Sequence, residues 1–102
     1  MGLLSDIFDF LIEQTSDNYI SNSERWFDSV WKHLNRTDSA EGILEVRDGN
    51  LFRRLSVTFR GGTKISIIDV EDEGCSFRSV NLDSNQRRQL IRNGRIVLKE
   101  YE

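Results

Sequence analysis

A chain of 102 residues supports one hydrophobic core, and 37% hydrophobic with 10% aromatic content sets it among globular rather than disordered sequences. The net charge of −3 and the pI of about 5.2 exclude a bulk electrostatic pull toward nucleic acid or anionic membrane. The single cysteine, Cys75, excludes an internal disulfide and suits a reducing compartment. No stretch approaches the roughly 20 apolar residues of a membrane span, and no Lys/Arg-led leader opens the chain, so a cytoplasmic protein without membrane contact is expected.

Charge and pattern both switch near Gly42. Residues 1–42 carry a net −5 and show helical spacing, whereas residues 43–102 carry +2 and alternate like strands. Leu4, Ile7, Phe8, Leu11 and Ile12 form one stripe of a helix over residues 3–14. A polar loop, Gln14–Ser23, separates it from a second amphipathic helix, about 23–35, with Trp26, Phe27, Val30, Trp31 and Leu34 on one side. Strand-like runs follow at 43–48, 50–60, 63–70 and 75–82. Asp48-Gly49 and Gly61-Gly62 read as two-residue hairpin loops, and Glu71-Asp72-Glu73-Gly74 as a longer, solvated acidic tip.

These loops set a register. Val46 should face Leu51, Arg60 should pair with Thr63, Leu55 with Ile68, and Arg54 with Asp69. One sheet face then collects Leu44, Val46, Leu51, Leu55, Val57, Phe59, Ile68 and Val70, to be covered by the helices. The other collects Glu45, Arg47, Phe52, Arg54, Ser56, Thr58, Arg60, Ile65, Ile67 and Asp69. Asp83 and Gln86 form a capping-box pattern that opens a short helix to Asn93, with Gly94 as its αL cap. Residues 95–101 close the chain as a strand. The expected fold is a single α+β domain: two N-terminal helices packed on an antiparallel β-meander, then a short helix and a final strand.

Chemistry is sparse. Zinc needs several Cys or His ligands, and only Cys75 and His33 are present; the acidic tip lacks the twelve-residue ligand series of an EF-hand. No nucleophile elbow and no phosphate-binding glycine loop before a helix occurs. Neither an enzyme, nor a metal, nor a cofactor is expected.

Arginine usage is the subtler signal, because eleven of the fourteen cationic residues are Arg, the residue suited to bidentate and stacked contacts at interfaces. Arg47, Phe52, Arg54 and Arg60 are expected on the outer sheet face, and Arg87, Arg88 and Arg92 on the last helix. Cross-strand ion pairs and a solvated helix face are the simpler account of them. Read as a docking surface, they mark a small regulator, adaptor or inhibitor working by protein–protein contact.

The alternative is single-stranded nucleic acid on the sheet face, with Arg47, Arg54 and Arg60 on phosphates and Phe52 stacking a base, against the acidic pI. Surplus apolar surface around Trp26, Phe27 and Trp31 leaves room for a homodimer or a larger assembly. The meander followed by Val80-Asn81-Leu82-Asp83 and Gln86 to Leu90 is faintly similar to the single-stranded-DNA-binding transcriptional coactivator fold, where a four-stranded sheet leads into a dimerisation helix. The N-terminal helices, the final strand and the acidic pI depart from that pattern.

Overall fold

The computed structural model describes residues 18–34 and 37–102. Helix α1 (Tyr19–Lys32) comes first, followed by β1 (Thr37–Arg47), β2 (Asn50–Phe59), β3 (Lys64–Ile68), β4 (Cys75–Ser76), helix α2 (Ser84–Asn93) and β5 (Arg95–Tyr101). The strands form one antiparallel sheet in the order β3-β2-β1-β5, with β4 pairing the start of β2. The α+β class is as expected. Among the described residues one helix, not two, precedes the sheet; the stripe over residues 3–14 lies outside them.

Helix α1 begins four residues earlier than its apolar spacing suggests, because its first residue is an anchor. Tyr19 is fully buried, and its hydroxyl donates to the Leu51 carbonyl (3.1 Å) and to Asp72 Oδ2 (2.7 Å). The polar residues Ser21 and Ser23 fit the helix by donating their hydroxyls back to the Asn18 and Tyr19 carbonyls. Phe27 is buried on the sheet side, edge-on to Trp26 at 5.7 Å, while Trp31 stacks on Tyr101 at 5.2 Å. Asp28 ties the helix to β5, accepting from Lys99 Nζ (2.7 Å) and Tyr101 OH (2.5 Å).

Strand β1 also starts earlier than expected, at Thr37 rather than residue 43. Within it, Gly42 lets the Phe27 ring lie directly on the strand, since a Cβ there would lie within 2.7 Å of three Phe27 ring atoms. The β1–β2 hairpin has the anticipated two-residue turn, with Asp48 and Gly49 both at positive φ (50° and 80°) and Val46 opposite Leu51.

The β2–β3 hairpin does not. Phe59 N–H bonds the Thr63 carbonyl (2.8 Å) and Gly62 N–H the Phe59 carbonyl (3.0 Å), so the loop holds three residues, Arg60, Gly61 and Gly62. The extra residue shifts the register by one and swaps the faces of β3. Leu55 lies opposite Ile67 and Arg54 opposite Ile68. Ile65 and Ile67 therefore share the face of Val57 and Leu55, and Ile68 turns outward, 58% exposed.

The run 75–82 is a strand only over Cys75–Ser76. Turns at Ser79 and Val80, both bonding the Ser76 carbonyl, then fold Val80 and Leu82 into the core. Helix α2 follows the capping reading closely. Gln86 N–H bonds Asp83 Oδ1 (2.7 Å), Asp83 N–H bonds Gln86 Oε1 (3.1 Å), and Gly94 closes the helix at φ 75°. Tyr19, Phe27, Leu44, Leu51, Leu55, Val57, Leu90 and Ile96 form the centre of the core, on the sheet face beneath α1 and α2. Each large side chain buried there contributes about 1.5–3 kcal/mol.

Candidate functional site

The densest polar constellation sits inside the molecule. Along β2 the buried stripe runs Leu51, Arg53, Leu55, Val57, so an arginine only 1% exposed occupies a core position. Its guanidinium lies 4.7 Å from the Tyr19 ring centroid and 3.5 Å from both Asp69 Oδ2 and Asp72 Oδ2. Asp72 is held from three sides, by the Tyr19 hydroxyl, by Arg53 N–H (3.0 Å) and by Gly74 N–H (2.9 Å to Oδ1). It thereby fills the break in the sheet edge between β3 and β4, where β2 has no strand partner. The acidic tip is thus not wholly solvated as expected, because a buried cation draws Asp69 and Asp72 inward.

Burial outweighs the Arg53 charge at Asp69 and holds its carboxyl above the usual range. Burial, followed by the Asp72 charge, raises the Tyr19 hydroxyl far above its ordinary value. Both charged partners are shut off from solvent, with the Arg53 and Asp72 side chains no more than 1% exposed. This closed cluster fastens α1, β2 and the β3–β4 connection together. No group of three or more His, Cys, Asp or Glu among the described residues is arranged to hold a metal. Cys75 is half-buried, and desolvation pushes its thiol above the ordinary range, away from a reactive thiolate.

The outer sheet face gathers Arg47, Phe52 and Arg54. The Arg47 guanidinium lies over the Phe52 ring at 4.3 Å. Arg54 pairs not with Asp69 but with Glu45, at 2.7 Å, and reaches Ser66 Oγ at 3.2 Å. Arg60 stands in the loop at the other end of β2 and does not join them. Arg87 is engaged within the fold, donating to the Phe77 (3.0 Å) and Val80 carbonyls and lying over the Phe77 ring. Arg88 and Arg92 are exposed on α2.

The α2–β5 corner adds what sequence reasoning missed. Helix α2 contains no acidic residue, and Arg95 at the start of β5 is a third exposed arginine beside Arg88 and Arg92. Among the described residues none of the three is in an ion pair. Arg95 lies opposite Glu45 in the register, but Glu45 is engaged by Arg54. Ile91 is 75% and Val97 44% exposed nearby.

An open cavity of about 430 Å³ lies between the two elements, lined by Gln89 and Asn93 from the helix and Arg95, Ile96 and Val97 from the strand. No β1 residue lines it, so it opens on the free side of β5. The run of arginines over 87–95 was legible in the sequence; the groove beside it depends on which edge of β5 stays unpaired. Comparison of the chain with protein-family models, with curated proteins and with solved structures finds no match in any of the three. No described helix is long and apolar enough to cross a membrane.

Proposed function

We propose that this chain is a small non-enzymatic binding protein, a regulator, adaptor or inhibitor that acts by protein–protein contact and docks through the α2–β5 corner. The observation that carries this reading is the combination there of an open cavity with Arg88, Arg92 and Arg95, none with an acidic partner among the described residues. Arginines of this kind, beside exposed Ile91 and Val97, have the composition of a recognition surface. The closed Arg53 cluster supports a non-enzymatic role, because its polar groups face one another and not a substrate.

The Arg47–Phe52 stack favours a second reading, single-stranded nucleic acid on the outer sheet face. It has less support, since Glu45 neutralises Arg54 on that same face. The test is affinity capture from native lysate with and without nuclease, comparing wild type with R88E/R92E by mass spectrometry. The proposal expects a nuclease-resistant protein partner that the charge-reversed variant loses. A partner retained equally by both would refute the corner as the site, and recovery abolished by nuclease would transfer the function to the sheet face.

A further inference from the structure

We infer that the corner's ligand is an extended acidic peptide segment that adds to β5 as a further strand, lying in the groove against α2. The inference rests on the binding reading above and names the partner's chemistry. Its first support is the hydrogen-bonding state of the edge. Val46 N–H donates to the Gly94 carbonyl (2.9 Å), and β1–β5 pairing continues with Glu45 opposite Arg95 and Leu44 opposite Ile96.

In an antiparallel ladder alternate residues bond to the partner strand. Ile96 therefore spends its amide and carbonyl on β1, while those of Arg95 point away from it; Val97, opposite Ile43, follows the same alternation as the last residue before the register shifts between Ile43 and Gly42. Arg95 and Val97 both line the cavity. The groove thus presents two N–H and two C=O groups at strand spacing, a pattern that another peptide backbone satisfies and a phosphate backbone does not.

Charge supplies the second support. Arg95 lines the groove, Arg88 and Arg92 stand exposed on the helix that forms its other wall, and that helix carries no carboxylate. At the opposite end, Glu41, Glu100 and Glu102 line a smaller cavity of about 200 Å³. An incoming strand is therefore attracted where its acidic residues lie beside α2 and repelled where they lie beside Glu100. This gradient selects an acidic segment and fixes its position along the edge. The walls are suited to it, since Gln89 and Asn93 offer side-chain amides to an extended backbone, and Val97 offers an apolar contact.

The test uses the full chain and an acetylated, amidated five-residue peptide of alternating valine and glutamate. Binding is read by isothermal titration calorimetry and by amide exchange in the protein. We expect saturable binding, weakened about tenfold in R88E/R92E and by at least as much when lysine replaces glutamate in the peptide. Amide protection should appear at Arg95 and Val97. N-methylation of alternate peptide nitrogens should remove binding in one of the two methylation phases. Val97→Pro, which deletes an edge donor without costing a β1 bond, should do the same in a protein whose circular dichroism is unchanged.

Protection at Ser66 on the β3 edge instead would overturn the assignment. So would binding indifferent to both methylation phases, or tighter binding of a twelve-nucleotide oligothymidylate than of the peptide. If the peptide fails while the lysate partner is still lost in R88E/R92E, strand addition falls and the binding reading stands. If both fail, the corner itself is refuted.

Discussion

Replacing Arg53 by methionine removes the cation from the core while keeping a side chain that can pack beneath Tyr19. At the observed 3.5 Å, and with an effective dielectric of about 20, each Arg53–carboxylate pair is worth about 5 kcal/mol of Coulomb attraction. Most of that is offset by the desolvation of three charged groups, so the intact cluster contributes little net stability. Breaking it is different, because Asp69 and Asp72 stay buried without a counter-charge, which costs about 3–5 kcal/mol. Asp72 keeps its bonds from Tyr19 OH and Arg53 N–H, so Arg53→Met should lie near about 3 kcal/mol.

For a domain of this size that corresponds to roughly 12–24 °C in Tm. The assay is urea unfolding followed by circular dichroism. R53M/D72N should recover more than half of the loss, because a neutral amide no longer needs the cation. The loss should also shrink on acidification. Burial already holds the Asp69 carboxyl above its usual range, and the variant takes away its counter-charge, so the variant regains stability as pH falls through that raised value. A loss below about 1 kcal/mol at neutral pH would refute the reasoning, since the two pairs would then contribute nothing that methionine lacks.

The exposed end of α1 should show the opposite pH sign. Hydrogen bonds from Lys99 and Tyr101 hold the Asp28 carboxyl below the usual carboxylate range, so its stabilisation is present above that range and is lost as pH falls through the depressed value. Asp28→Asn should flatten the acid limb of an unfolding curve below about pH 4 and leave the neutral plateau shape unchanged. Gly42→Ala should destabilise by about 1–3 kcal/mol by driving a methyl into the Phe27 ring, read by thermal unfolding; a neutral result would mean α1 shifts freely over β1. Asp83→Ala should cost about 1 kcal/mol through loss of the α2 capping box, and Asp83→Asn should restore most of it.

What was legible in the sequence was whatever local chemistry decides. Asp48-Gly49 specified the β1–β2 register because both residues accept positive φ, and Asp83, Gln86 and Gly94 marked both ends of α2. The β3 register was not legible from Gly61-Gly62, since the pair can close a two-residue loop or recruit Arg60 into a three-residue one. The start of α1 was hidden because Tyr19 is held by Leu51 and Asp72, contacts made across the fold.

Val80 and Leu82 read as strand because a core turn and a core strand share the same apolar signal. Arg53, by contrast, could have been found. It is the one charge in the alternation Leu51, Arg53, Leu55, Val57, and a cation at that parity demands buried carboxylates, which the acidic stretch after β3 supplies. The arginines of α2 were visible one by one, but the groove beside them follows from β5 pairing with β1 and leaving its other side open.

That pairing also sets an order of assembly. Strand β1 meets β2 across a two-residue turn, but it meets β5 only after the whole of residues 48–94 has been brought round. Closing so long a loop is entropically dearer than closing a hairpin, so the β1–β2–β3 meander can form first and β5 docks late. The groove between β5 and α2 exists only while β5 is docked. A ligand seated there would therefore act as a clamp on the last-formed part of the fold, slowing its opening, and hydrogen exchange in β5 would report occupancy directly.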